Sequence, residues 1–134
     1  MSYFDIMGVA ATGMSAQRIR ISAISSNLAN AQTTKTAEGG PYKRKDVIFQ
    51  TIMDGENTGG VKVDRVVPDE KPPLLKYEPE HPDANEEGYV AYPNINPIEE
   101  MVNMLEASRS YEANTTVLNT AKQLALRALE IGKA

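Results

Sequence analysis

All eight prolines of this 134-residue chain fall between positions 41 and 97. None precedes Pro41, none follows Pro97, and five of them (Pro68, Pro72, Pro73, Pro79 and Pro82) crowd one short stretch. Proline lacks a backbone donor and its ring collides with the preceding helical turn, so it is kept out of helix interiors. The distribution therefore divides the chain into a helix, an irregular or β middle, and a second helix. We read residues 1–38 as an N-terminal helix with a following extended segment, 39–95 as a β-rich middle module with a Pro-rich stretch, and 96–134 as a C-terminal helix. The fold class expected is α+β: two long terminal helices forming an antiparallel coiled-coil-like pair, a small β-rich insert, and an elongated outline.

The first helix is expected from about Ser2 to Ala31. Met7, Met14, Ile21 and Leu28 recur at a spacing of seven, with Ala10, Ile24 and Ala31 at the offset position. Gln17 interrupts this heptad seam, and Gly8 and Gly13 each weaken the helix by about 1 kcal/mol relative to Ala. The second helix is marked more strongly. Asn96 suits the cap, Pro97 the first helical position and Glu99 the third, a capping-box-like start, while Gly132 offers a stop. Val117, Ala121, Leu124, Ala128 and Ile131 alternate steps of four and three, and Met104, Tyr111, Leu118 and Ala125 run beside them at steps of seven. That apolar face is wide enough for more than one neighbour.

Length decides how such a face is covered. A helix from Pro97 to Ile131 is about 50 Å long at 1.5 Å per residue. A rounded domain of this size is only about 36 Å across. The helix must break or protrude, and an elongated molecule that buries its stripes against partners is the expected outcome. The seam residues expected to meet those partners are Met14, Ile21, Leu28, Met104, Tyr111, Val117, Leu118, Ala121, Leu124, Ala125 and Ala128. Alone, such helices do not repay their conformational entropy, so they are expected to be partly disordered in the monomer.

The middle reads as short strands at Tyr42–Ile52 and Val61–Val67, with Asp54-Gly55 and Gly59-Gly60 between them as a hairpin needs. Weaker strands are expected at Leu74–Tyr77 and Gly88–Tyr92. With 41% apolar residues, no Trp and two Phe, the core is aliphatic and Met-rich. Cysteine is absent, which removes disulfides and thiolate metal sites. The net charge of −4, with both signs interleaved, argues against nucleic acid and anionic membranes. No apolar run approaches the ~18–20 residues that span a bilayer. Met1–Ala23 has no basic region ahead of an apolar one, so it is not read as a secretory signal; taken alone, that points to the cytoplasm.

Catalytic chemistry is not expected, and no cofactor or metal is called for. The carboxylate pairs Asp69-Glu70, Glu86-Glu87 and Glu99-Glu100 are adjacent in sequence, and neighbours diverge by about 100° on a helix or 180° on a strand. They read as solvated charge and, for the last pair, as helix-start carboxylates at the positive end of the macrodipole. Lys43-Arg44-Lys45 reads as a solvated strand edge, blunted against stray pairing. The single histidine sits in His81-Pro82-Asp83, the tripeptide of J-domain cochaperones, which defines the alternative function. In those proteins it lies between two antiparallel helices; here prolines and Gly88 surround it, so a proline-fixed turn is expected instead.

Three stretches resemble one family, the flagellar basal-body rod proteins. Ser26-Asn27-Leu28-Ala29-Asn30, followed by Thr33 or Thr34, is similar to the Asn-rich N-terminal signature of rod and hook axial proteins. His81-Pro82-Asp83-Ala84-Asn85 through Gly88-Tyr89-Val90 and Tyr92-Pro93-Asn94-Ile95-Asn96 is similar to the proximal-rod branch. Glu100 to Asn114, with Tyr111, Ala113 and Asn114, resembles the C-terminal axial signature. Asn96-Pro97, where a second Asn-Val-like step is the pattern, and Lys35-Thr36, where a Gly-aromatic pair is common, depart from it.

The resemblance implies a structural subunit of the proximal rod, polymerising through its terminal helices and required for flagellar assembly and motility. It implies a periplasmic rod reached through the flagellar type III export apparatus without a cleaved signal. The partners implied are the chain itself, the rod proteins FlgB, FlgF and FlgG, and the basal-body adaptor FliE, with no nucleic acid and no membrane insertion. Phe49-Gln50-Thr51-Ile52-Met53 resembles the element that early substrates present to the export gate, carried by Phe49 and Met53; a buried strand end is the other reading. Asn27, Asn30 and Asn114 are expected to fix register by hydrogen bonds in an otherwise apolar seam.

Overall fold

The computed structural model describes residues 1–55 and 57–133; Glu56 and Ala134, which the sequence assigns to the middle and last segments, lie outside it. Helix α1 runs from Tyr3 to Ala29. It opens with a capping box that the sequence reading did not pick out. The Ser2 hydroxyl accepts the Asp5 N–H at 3.1 Å and the Asp5 carboxylate accepts the Ser2 N–H at 2.8 Å. It closes two residues short of the expected Ala31. The Asn30 side-chain amide donates to the Ser26 carbonyl at 2.9 Å, and the Thr33 hydroxyl donates to Asn30 Oδ1 at 3.2 Å.

Helix α2 spans Pro97–Gly132, about 54 Å against about 40 Å for α1. Asn96 Oδ1 accepts from the Ile98 N–H at 3.1 Å and the Glu99 N–H at 3.5 Å; among the described bonds, none runs back from the Glu99 carboxylate. Gly132 is not the stop expected of it. A terminating glycine takes a left-handed conformation, whereas this helix passes through Gly132 to a right-handed Lys133 at φ −87°.

The helices pair antiparallel, as expected. Asn27 meets Glu100, Arg20 meets Glu106 and Met14 meets Thr115, so one helix climbs as the other descends. Their closest line is built from small residues: Ala10 and Ala16 of α1, Ala107 and Ala121 of α2, all buried, with Gly13 against Asn114. Continuing that register places Tyr3 abreast of about residue 124. The last turns of α2 therefore extend beyond the start of α1.

The middle segment forms two hairpins. Strand β1 (Lys45–Asp54) pairs antiparallel with β2 (Asn57–Pro68), with Lys45 opposite Pro68 and Asp54 opposite Asn57. Gly59 and Gly60 therefore lie inside β2, not in the turn where the sequence placed them. The register slips between Ile52 and Met53, leaving Gly59 as the extra residue of a bulge. Gly60 has φ +131°, and a Cβ built there lies 2.3 Å from the Thr12 hydroxyl oxygen. Only glycine lets the strand come this close to α1. Thr12 secures the crossing, accepting the Val61 N–H at 3.1 Å and donating to the Val9 carbonyl at 2.7 Å.

At its other end the same hairpin is tied to Asn27 through Lys45. Fifteen helical residues and six strand residues both span about 20 Å, so β1 and β2 lie lengthwise along α1. A second pair, β3 (Leu74–Tyr77) and β4 (Tyr89–Tyr92), closes antiparallel with Leu74 opposite Tyr92. His81 lies in the loop joining these strands. Its N–H donates to the Glu78 carbonyl, its Nδ1 accepts the Asp83 N–H, both at 3.0 Å, and its ring meets Tyr92 edge-on. Two strands, not two helices, flank the tripeptide, and the J-domain alternative falls on that ground.

Candidate assembly interface

A buried polar site ties three segments together where α1 ends and α2 begins. Asn27 is fully buried, and its side chain matches the backbone of Lys45 at both ends. Oδ1 accepts the Lys45 N–H at 2.8 Å while Nδ2 donates to the Lys45 carbonyl at 2.9 Å. The Tyr42 hydroxyl adds a bond to Oδ1 at 3.1 Å and shares another with Ser26 Oγ, also at 3.1 Å; Nδ2 reaches the Glu100 carboxylate at 3.4 Å. Asn27, expected to fix register in a helix seam, instead holds β1 to the end of α1. Asn30 and Asn114 act locally instead, each amide donating to a carbonyl four residues earlier in its own helix.

Two sequence readings are corrected here. Glu100 is not a solvated helix-start carboxylate: it is buried, while its neighbour Glu99 is exposed. Arg44 is not a free cation on a strand edge. Its guanidinium donates to Glu100 and lies 3.6 Å from Asp46 and 3.8 Å from Asp69. Burial works to lower the Arg44 pKa, but the hydrogen bond and charge of Glu100, then Asp46, outweigh it and raise the value. A buried carboxylate needs such a partner, since an unpaired charge is excluded from the interior. Neither partner carried a sequence signal, because the two residues are 56 positions apart.

The expected seam residues divide by exposure. Ala121 is buried on the line facing α1. Met14, Ile21, Leu28, Met104, Tyr111, Leu118 and Ala125 are half-covered along the flanks of the helix pair. Val117, Leu124 and Ala128 remain open to solvent, as do Phe49 and Met53 on β1. A further apolar stripe, Ile98, Met101, Val102 and Leu105, is exposed near the start of α2 and was missed. Its spacing of three, one and three was legible as a helical face. Among the described residues no helix is long and apolar enough to cross a membrane, and no three His, Asp or Glu gather at metal-binding distance.

Two long paired terminal helices around a small β insert, with apolar residues left open along them, define an elongated α+β class of protein. The family model described as flagella basal body rod protein matches residues 7–35, which cover most of α1, and that described as flagellar basal body rod FlgEFG protein C-terminal matches residues 86–131, which cover β4 and α2. The flagellar basal-body rod protein FlgC of Borreliella burgdorferi is 44% identical, over 98% of each chain. Its namesakes in Bacillus subtilis and Salmonella typhimurium are 41% and 43% identical, over 99% of this chain and 100% of theirs. The chain belongs to the FlgC family of flagellar basal-body rod proteins.

Proposed function

We propose that this chain is a structural subunit of the proximal flagellar rod, polymerising through its terminal helices into the axial shaft that assembly and motility require. The observation that carries this reading is the pair of long helices that cover each other along one line only, leaving Val117, Leu124 and Ile131 exposed. Exposed large apolar residues in a helical row favour a second protein surface over water. The neighbours that fit are other copies of the chain, the rod proteins FlgB, FlgF and FlgG, and the adaptor FliE. The rod lies in the periplasm, and the subunit reaches it through the flagellar type III apparatus without a cleaved signal. Phe49 and Met53, open on β1, are the residues we assign to contact with the export gate.

Leu124→Asp tests the proposal. The side chain is outside the intrachain core, so the purified variant keeps its circular dichroism and solubility. In a strain depending on this chain, rods fail to form and swimming is lost. Normal swimming by cells carrying Leu124→Asp counts decisively against a helix-borne assembly surface.

A further inference from the structure

We infer that the outer edge of β3 takes an added strand from another protein, a short basic segment with alternating apolar side chains. The inference goes beyond the rod-subunit reading and uses neither terminal helix. β3 meets no described helix or strand other than β4, and each of its residues is exposed. The Glu78 N–H donates to the Gly88 carbonyl at 2.9 Å, one step past the pair Tyr77 and Tyr89. Bonded and non-bonded pairs alternate along an antiparallel ladder, so Leu74 and Lys76 bond to β4 while Leu75 and Tyr77 turn their N–H and C=O groups outward. Among the described residues nothing takes up those groups. Side chains alternate as well. Leu74 and Lys76 share a face with the buried Val90 and Tyr92, whereas Leu75, Tyr77 and Tyr89 lie on the opposite face, 64%, 66% and 40% exposed. Unpaired backbone and open apolar side chains thus occur together at Leu75 and Tyr77, the combination that strand addition uses.

Edge strands are commonly blunted by charge. The one charge on β3 is Lys76, and its ammonium lies over the Tyr92 ring, 4.6 Å from the centroid, on the other face. Pro73 and Pro79 bracket the strand and confine pairing to Leu74–Glu78. Charge selects the occupant. No Lys or Arg occurs between Lys76 and Arg109, and acidic residues crowd the loop at the Tyr77 end. The Glu78 carboxylate is taken by the Tyr92 hydroxyl at 2.8 Å and that of Asp83 by the Thr34 hydroxyl at 2.7 Å. Glu80, Glu86 and Glu87 are exposed, and among the described residues no cation pairs with them. At the Leu74 end Glu70 and Lys71 offset each other. A second copy of this chain does not fit. Two-fold pairing that engages both Leu75 and Tyr77 sets Lys76 against Lys76, and like charges directly opposite are destabilising. A basic strand meets the open carboxylates of the loop instead.

The probe is an acetylated and amidated Lys-Val-Lys-Val-Lys-Val peptide, titrated into the full-length chain and followed by NMR. The Leu75 and Tyr77 amides should gain protection from exchange, and the peptide with Glu in place of Lys should bind roughly tenfold more weakly, as expected for a few exposed charge pairs. Leu75→Pro removes an outward N–H that β4 does not use, so it should abolish binding while the β3–β4 ladder stays intact. Glu86→Lys combined with Glu87→Lys should remove the preference between the peptides. In cells, benzoylphenylalanine in place of Leu75 should cross-link on irradiation to another protein, at a segment of alternating basic and apolar residues mapped by mass spectrometry. The same two lysine substitutions should suppress that product. Absent or equal binding of the two peptides, protection away from β3, no cross-link, or a cross-link to a second copy overturns the inference. Rod formation is judged separately through Leu124→Asp, which leaves β3 untouched.

Discussion

Gly8 and Gly13 are equivalent in the sequence, two helix-weakening positions five residues apart. In the fold they are opposites. A Cβ at Gly8 meets nothing within 4 Å, whereas one at Gly13 falls 2.8 Å from the Asn114 side-chain nitrogen, which is itself bonded to the Ser110 carbonyl. Gly8→Ala should therefore stabilise the chain by about 0.5–1 kcal/mol in urea unfolding, from helix propensity alone. Gly13→Ala should forfeit that gain, because Asn114 must give up its bond or the helices must part. The same limit on sequence reading appears at Glu99 and Glu100. Adjacent and chemically alike, they were read together, yet a turn of about 100° sends one to water and the other onto Arg44. Gln17 was read as an interruption of the seam, and its Oε1 is indeed buried without a described partner, a configuration that costs stability.

At the scale of elements, what was legible followed from local chemistry. Proline-free ends and Asn96-Pro97 placed both helices, since propensity and capping act within a few residues. The hairpin turn was legible at Asp54-Gly55, but Gly59-Gly60 was mistaken for part of it because the demand on Gly60 comes from Thr12, 48 positions away. Distant contacts of that kind leave no local pattern. The α1 cap carries a pH dependence of definite sign. The Ser2 backbone and hydroxyl bonds hold the Asp5 pKa below its ordinary 3.8. A lowered carboxylate stabilises the fold above its unfolded pKa, and the effect is lost as pH falls through the folded value. The first-turn amides of α1, followed by NMR or hydrogen exchange, should lose protection below about pH 4 while mid-helix amides do not. Asp5→Asn should abolish that selective loss.

For the molecule as a whole, Asn27 joins α1 to β1 and, with Glu100, to α2. Asn27→Ala removes the Asn27 partners of the Lys45 N–H and carbonyl in a part-buried setting, at a cost of about 2 kcal/mol. Urea unfolding should show that loss, and the Lys45 amide should exchange faster well before the helices melt. Retention of full stability would mean that the hairpin is held by Thr12 and its apolar contacts alone. The antiparallel helix pair also governs how the protein can be labelled. The start of α1 and the end of α2 lie at the same pole, so a fluorescent or affinity label joined beyond either crowds one location, the pole where α2 projects. Moving a troublesome label from one end to the other brings no relief. The exposed loop between β3 and β4, whose Asp83 accepts a bond from Thr34 beyond the end of α1, is where such a graft has room.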